Sequence, residues 1–260
     1  MKQLDKILQT LIINGTLTEQ PGLFYGKTGI AVFFFHYARL TGNRVFQDYA
    51  MTLIEELQKQ LTGVTSVRYD VGLAGIGVGF DYFLQNGFLE AEDDDFFEAY
   101  DARIYHATLY EPYSDLSLEG GLTGLGRYFI CRLRSDSLKD SKIHKALTHI
   151  THEIVRKIKK KTVSEKDQPD VYRFLHDLAS LPEYAEKYAN LLKRSLPPAP
   201  SHRGGGISVL TEIIRQGWGK WEEADNSSLT NMGLLNGWAT EGMLYLTFFH
   251  NLDKSWFNLL

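Results

Sequence analysis

Apolar residues follow two patterns along the chain, and segments of the two kinds alternate. In the first pattern, a glycine leads a cluster of small residues that continues into a segment apolar on nearly all sides. Four segments share this layout: "GKTGIAVFFFHYARL" (26–40), "GLAGIGVGFDYFL" (72–84), "GLTGLGRYFICRL" (121–133) and "GWATEGMLYLTFF" (237–249). A helix that is apolar nearly all round is expected to be covered on most sides. These segments are therefore predicted to be inner helices.

The second pattern is amphipathic, with apolar residues three and four positions apart and charged residues on the opposite face. It covers residues 43–61, 93–110 and 141–161, which are predicted to be outer helices with one solvent-facing side. The stretch "MKQLDKILQTLIING" is predicted to be an amphipathic first helix. It does not resemble a secretory signal, because polar residues interrupt its apolar ones.

The spacing of the glycine-led segments predicts the architecture. Their starts lie 46, 49 and 116 residues apart, and the last interval has room for two weaker copies, for which 173–181 and 204–214 are candidates. Alternating inner and outer helices at this period are typical of stacked helical hairpins, and uniformly buried inner helices favour a closed ring. We predict an all-α protein, an α/α toroid of about six hairpins, with residues 1–260 as a single domain. No stretch alternates cleanly enough to predict a strand.

The glycines admit two explanations. They let the chain turn sharply into each inner helix and let neighbouring inner helices pack closely, or they form a phosphate-binding loop. "GLAGIG" and "GLTGLG" have the spacing G-x-x-G-x-G, whereas the dinucleotide fingerprint is G-x-G-x-x-G after a strand. Because no strand is predicted before them, we favour turning and packing over nucleotide binding.

Composition restricts the partners and the compartment. The 260 residues are 43% hydrophobic and 23% charged, with a formal net charge of -4, which favours neither nucleic acid nor an anionic membrane as a partner. The longest apolar run, 30–35, is far shorter than the roughly 18 residues of a membrane span. The single cysteine, Cys131, excludes an internal disulfide. We expect a cytoplasmic protein that does not associate with membranes.

Three stretches resemble the lanthionine synthetase C-like family, which includes the lantibiotic cyclases. They are "GKTGIAVFFFHYARLTGN", "SLEGGLTGLGRYFICRL" and "GLLNGWATEGMLYL". The resemblance implies an α/α toroid. For a true cyclase it also implies a zinc ion held by two cysteines and one histidine at turns before inner helices, where zinc activates a peptide cysteine thiol for addition to a dehydrated serine or threonine.

The zinc ligands of that family are missing from this sequence. Neither Cys-His-Gly nor Trp-Cys occurs, and Cys131 lies in the middle of a predicted inner helix, where a thiol is expected to pack as a small apolar group. We therefore expect the fold without the zinc chemistry, with no metal and no cofactor.

Residues that flank the starts of inner helices are expected to converge on the mouth of the central cavity. Three carboxylates there, Asp70, Glu119 and Glu241, are candidates for general acid or base catalysis, although carboxylates near helix starts also serve as caps. The predicted cavity-binding residues are Tyr25, Lys27, Tyr69, Asp177, His202, Arg203, Asn236 and Trp238. The unpaired N–H groups of the helix starts are expected to face the same opening.

Several histidines and one loop are weaker candidates. His149 and His152 lie three residues apart, a spacing that can chelate a metal, but their basic outer helix favours an incidental pair. His36 and His106 are predicted to be core or boundary residues. The proline- and glycine-rich loop 194–206 is a candidate lid over the cavity.

Two functions stay open. The first is a metal-free relative of the cyclases that binds a peptide in its central cavity or assists peptide modification, with a peptide-modifying enzyme as a candidate partner. The second is a carbohydrate-active enzyme, a glycosidase-like α/α toroid that uses carboxylates at the cavity mouth. Aromatic residues at the mouth suit either ligand, because they pack on peptide side chains and stack on sugar faces.

Overall fold

The computed structural model describes residues 2–90, 95–134, 141–185, 231–235 and 237–260. Within these ranges the chain is helical and contains no β-strand, as the sequence predicts. The α-helices are α1 (Lys2–Gly15), α2 (Lys27–Thr41), α3 (Arg44–Leu61), α4 (Leu73–Gln85), α5 (Asp95–Tyr110), α6 (Leu122–Arg134), α7 (Ser141–Lys159), α8 (Gln168–Ala179) and α9 (Trp238–Phe249). A 3₁₀ helix follows at Lys254–Leu259.

The helices form two layers. The inner helices contact one another in the order α9, α2, α4, α6 and α8, while α1, α3, α5 and α7 pack against them from outside. Every residue of α2 from Lys27 to His36 is buried, and so is every residue of α4 from Leu73 to Phe83. In α7 only one face is buried. This is an α/α toroid, and the contact between α9 and α2 joins the inner helices that are farthest apart in the sequence.

Four inner helices are entered through loops of the same geometry. In each, the first helical N–H donates to the carbonyl oxygen seven residues earlier, at 2.9 to 3.2 Å. The donor and acceptor pairs are Lys27 and Gln20, Leu73 and Ser66, Leu122 and Asp115, and Trp238 and Asn231. These N–H groups are therefore used within the loops. This corrects the expectation that they are unpaired at the cavity mouth.

Glycine is required where these loops and helices approach one another. A Cβ atom on Gly72 would lie 2.4 Å from the Ser66 carbonyl oxygen, and one on Gly75 would lie 1.7 Å from the Tyr69 carbonyl oxygen. Farther along α4, a Cβ on Gly77 would lie 2.5 Å from the ring of Tyr128 on α6. The glycines thus serve both sharp turning and close helix packing.

The entry loops are hydrogen-bonded to one another around the mouth of the toroid. The Leu235 N–H donates to the Phe24 carbonyl and the Phe24 N–H to the Asp70 carbonyl, both at 3.0 Å. The Asp70 N–H donates to the Glu119 carbonyl at 3.1 Å. The series extends to α8, because the Leu118 N–H donates to the side chain of Asp170, in the first turn of that helix, at 2.8 Å. This belt fixes the starts of the inner helices relative to one another.

Some expectations differ from the structure or fall outside it. The segment 204–214 and the loop 194–206 lie outside the described residues. The candidate inner segment 173–181 overlaps α8, which begins earlier, at Gln168, and ends at Ala179. His106 is exposed on the outer helix α5, which corrects its prediction as a core or boundary residue. None of the described helices combines the length and apolarity needed to cross a bilayer.

Candidate functional site

Four inner helices present a side chain to the interior of the toroid at the same position, ten residues after the glycine that precedes each helix. These residues are His36, Tyr82, Cys131 and Thr247. His36 Nε2 lies 2.7 Å from the hydroxyl of Tyr82 on the neighbouring helix, and Thr247 Oγ1 accepts a hydrogen bond of 3.0 Å from Trp256 Nε1. Burial, followed by the charge of Arg39, lowers the pKa of His36 to about 4, so its imidazole is neutral at pH 7.

Residues 254–260 lie inside the toroid. The chain turns after α9 and returns along the interior, where side chains of other inner elements bind its backbone. Arg173 of α8 donates to the carbonyl oxygens of Phe257 (2.9 Å) and Leu260, and the hydroxyl of Tyr69, just before α4, donates to the Leu259 carbonyl at 2.8 Å. The segment therefore contacts α8, α9 and the loop before α4 at the same time.

A polar cluster lies where this segment reaches the mouth. Arg127, Arg173, Asp170 and Asp177 line a small cleft of about 10 Å³ between α6 and α8. Burial and then the charge of Arg127 lower the pKa of Arg173. Burial raises the pKa of Asp170 despite its hydrogen bond from the Leu118 N–H. The structure thus places Asp177, predicted as a cavity-binding residue, at the mouth with three charged residues that were not predicted.

Asp70 is ion-paired at another edge of the mouth. Its carboxylate accepts hydrogen bonds from Arg68 Nε at 2.8 Å and Nη2 at 2.5 Å, and from the Val71 N–H at 2.9 Å. The Asp70 side chain is 5% exposed and that of Arg68 is 50% exposed. Tyr25 follows Phe24, whose N–H donates to the Asp70 carbonyl at 3.0 Å. Burial and then the charges of Glu119 and Asp70 raise the pKa of Tyr25. Tyr25, Asp70 and Glu119 therefore lie near one another. The Asp70 carboxylate is already hydrogen-bonded within its own loop, by Arg68 and the Val71 N–H.

The first residues of α2 and α9 face the outer layer. Lys27 Nζ lies 2.5 Å from Glu56 Oε2 on α3, and Lys6 Nζ of α1 lies 5.9 Å from the centroid of the Trp238 ring. Lys27 and Trp238 are each 3% exposed. Their prediction as cavity-binding residues is corrected, because a residue near the start of an inner helix can still point away from the cavity.

The other two predicted carboxylates differ from Asp70. Glu119 contributes its backbone to the belt, where its carbonyl accepts hydrogen bonds from the Tyr69 and Asp70 N–H groups. Glu241 lies in the first turn of α9, and burial raises its pKa to about 7. Among the described residues, no hydrogen-bond partner is found for the Glu241 carboxylate. Glu241 is therefore a partly buried carboxyl group that holds its proton to a higher pH than an exposed glutamate does.

Comparisons with known proteins identify the fold. No protein-family model matches the chain, and no curated protein matches its sequence. Among solved structures, "Nisin cyclase" is similar, with a TM-score of 0.57 at 13% identity, and the alignment covers 100% of this chain and 97% of that one. The chain has a lanthionine synthetase C-like fold. At this identity the likeness shows the fold alone.

The zinc ligands implied by this fold do not fit the chain. A site with two thiolates cannot be built from one cysteine. Cys131 Sγ donates to Asp81 Oδ2 at 2.8 Å, and burial followed by the Asp81 charge raises the pKa of the thiol. The thiol is therefore engaged by the Asp81 carboxylate. Across the described part of the chain, no three His, Cys, Asp or Glu side chains are arranged to hold a metal ion.

The predicted histidine pair lies on the outer layer. His149 and His152 are on α7, and the side chain of His152 is 75% exposed, 3.6 Å from Glu153. Three further predicted site residues, His202, Arg203 and Asn236, lie outside the described residues, so their predicted roles stay predictions.

Two interior arginines were missed by the sequence analysis, although one left a signal. Arg127 stands six residues after its helix-leading glycine, where the other inner helices have Val32, Val78 and Met243. A charged residue at an otherwise apolar position of a repeat indicates a polar site. Arg173 carried no comparable signal, because α8 lacks the leading glycine that aligns the other repeats.

Proposed function

We propose that this chain is a lanthionine synthetase C-like protein that binds a peptide inside its toroid and lacks zinc-dependent cyclase activity. The observation that carries the proposal is the contact of Arg173 and Tyr69 with main-chain oxygen atoms of Phe257, Leu259 and Leu260. These donors recognise a peptide backbone whatever its side chains are. The resemblance to the lantibiotic cyclases supports a peptide that is handled together with a peptide-modifying enzyme.

The donor chemistry supports the absence of cyclase activity. Zinc activation of a peptide thiol needs soft ligands and an open coordination position. The thiol of the one cysteine is partly buried and hydrogen-bonded to Asp81, and no described histidine forms a metal-holding group with it. The proposed role is therefore to hold or present a peptide.

A carbohydrate-active enzyme is less well supported. Glu241, with a pKa of about 7, has one property of a general acid. A glycosidase also needs a second carboxylate that is free to act on the sugar or on water. Asp70 does not meet this requirement, since Arg68 and the Val71 N–H occupy its carboxylate.

Binding measurements test the proposal. Fluorescence anisotropy would follow a labelled peptide rich in serine, threonine and cysteine, with glucose oligosaccharides as the comparison ligands. We expect the peptide to bind and Arg173→Gln to weaken binding about tenfold, since a hydrogen bond to a charged group contributes about 1.5–3 kcal/mol. Arg156→Gln is the matched control, because Arg156 is an exposed arginine on α7 that pairs with Glu153.

Circular dichroism must show that both variants keep the helical content of the wild type. Binding of an oligosaccharide without binding of the peptide contradicts the proposal. Equal peptide affinity of the Arg173→Gln and Arg156→Gln variants contradicts the assignment of the site.

A further inference from the structure

We propose that residues 254–260 are an intramolecular ligand of the peptide site, which an incoming peptide must displace. This inference rests on the proposed function, since it takes the interior of the toroid to be the peptide site. It adds that the site is occupied in the resting protein, and that the occupant shows which peptides fit.

The backbone of the segment is bound as a peptide ligand would be. Main-chain oxygen atoms of Phe257, Leu259 and Leu260 accept hydrogen bonds from Arg173 and Tyr69. Tyr69 is fully buried, so its hydroxyl would lose its acceptor if the segment left and nothing replaced it. Buried donors require acceptors. The emptied site would therefore favour another molecule with a row of carbonyl groups, which a peptide supplies.

The side chains of the segment indicate the preferred sequence. Trp256 is 0% exposed and Leu259 is 2% exposed, and the indole N–H of Trp256 donates to Thr247 Oγ1 at 3.0 Å. Buried aromatic anchors of this kind dominate the affinity of peptide interfaces. We infer that the site takes a peptide with an aromatic residue followed three positions later by an aliphatic residue.

The connection to α9 allows the segment to leave without unfolding that helix. α9 ends at Phe249, and the exposed residues His250 and Asn251 lead into the segment. Asn251 has a φ of 54°, a left-handed conformation that asparagine tolerates in turns and that reverses the chain direction. Asp253 then starts the 3₁₀ helix by accepting a hydrogen bond from the Ser255 N–H at 2.8 Å. The segment is thus joined by a short, exposed turn.

A labelled peptide with the sequence of residues 254–260, KSWFNLL, tests the inference on the full chain. The wild type should bind it weakly, because its own segment competes. Trp256→Ala should bind it about tenfold more tightly or better, since apparent affinity scales with the fraction of open sites. Adding Arg173→Gln to Trp256→Ala should remove that gain. Phe248→Ala, which alters an exposed aromatic residue of α9, is the control and should behave as the wild type.

Equal binding of KSWFNLL to the wild type and to Trp256→Ala, or no binding to either, overturns the inference. Hydrogen exchange of the wild type without ligand gives a second test that does not depend on the variants folding. Residues 254–260 should exchange through local opening, faster than the buried amides of α9. Exchange of both at the same slow rate would mean that the segment opens only on global unfolding, which also overturns the inference.

The two proposals fail in different ways. If the serine-, threonine- and cysteine-rich peptide binds the wild type without speeding exchange in residues 254–260, the chain binds peptides but the segment does not occupy their site. If only KSWFNLL binds, and only when Trp256 is removed, the segment is a ligand and the proposed class of peptide partner is wrong.

Discussion

Replacing Gly75 with alanine gives a prediction in which two physical effects have opposite signs. Gly75 lies within α4, where helix propensity alone favours alanine over glycine by about 0.5–1 kcal/mol. The structure predicts the opposite result, because the new Cβ atom would lie 1.7 Å from the Tyr69 carbonyl oxygen. That oxygen belongs to the backbone of the entry loop, so rotation of a side chain cannot relieve the clash.

The magnitude follows from the hydrogen bonds that the entry loop must give up when it moves. The Leu73 N–H donates to the Ser66 carbonyl, and the Tyr69 and Asp70 N–H groups donate to the Glu119 carbonyl. Each such bond contributes about 1 kcal/mol net, so losing all three costs about 3 kcal/mol. After the gain in helix propensity, we expect Gly75→Ala to lower the free energy of unfolding by about 2 kcal/mol.

Urea unfolding followed by circular dichroism measures this change, and two further variants grade it. Gly77→Ala should cost less, because its Cβ would meet the side chain of Tyr128, which can shift. Gly63→Ala, whose Cβ would lie 3.4 Å from its nearest neighbour, should change stability by no more than about 0.5 kcal/mol. A Gly75→Ala variant as stable as the wild type, or more stable, would refute this account of the entry loops.

Two further predictions concern carboxylates. Asp70→Asn should lower the free energy of unfolding by about 1 kcal/mol, since the paired Arg68 is half exposed and its ion pair is screened. The same change should leave peptide affinity unchanged. Weaker peptide binding at unchanged stability would contradict this prediction. For Glu241, burial raises the folded-state pKa from 4.5 to about 7, so ionisation above pH 4.5 favours the unfolded state. The stability of Glu241→Gln relative to the wild type should therefore rise between pH 4.5 and 8, reaching about 1–3 kcal/mol, and parallel profiles in urea titrations would contradict the shift.

The fold could be predicted because most inner helices have a local sequence signature, a glycine followed by an apolar run. A glycine precedes the helix, the entry loop requires it, and the apolar run that follows has the length of the helix, so the predicted bounds of α2, α4, α6 and α9 agree with the structure to within one residue. α8 lacks that glycine and was placed several residues late. The segment 254–260 was not predicted at all, because seven residues are too few for a periodic pattern.

The residues that face the interior were harder to predict. An inner helix is recognised because it is apolar on nearly all sides, and for the same reason its sequence does not show which side faces the cavity. α2 and α4 are apolar nearly all round, so no amphipathic stripe indicates which side faces the cavity. Nearness to the helix start was used in place of direction. That choice was incorrect for Lys27 and Trp238, which contact outer helices. Asp177 lines the cleft between α6 and α8, and its role in binding stays a prediction.

Helical phase explains these outcomes and shows what was missing. A helix turns about 100° per residue, so the first and tenth positions after a helix-leading glycine lie on opposite sides. Lys27 and His36 of α2 are one such pair, and the first faces α3 while the second faces Tyr82 in the interior. The sixth position lies within about 40° of the tenth, which places Arg127 on the interior side of α6. The contact of His36 with Tyr82 therefore fixes the orientation of every aligned inner helix. The better candidates for site residues are those on the same helix face as His36, and not those nearest the helix starts.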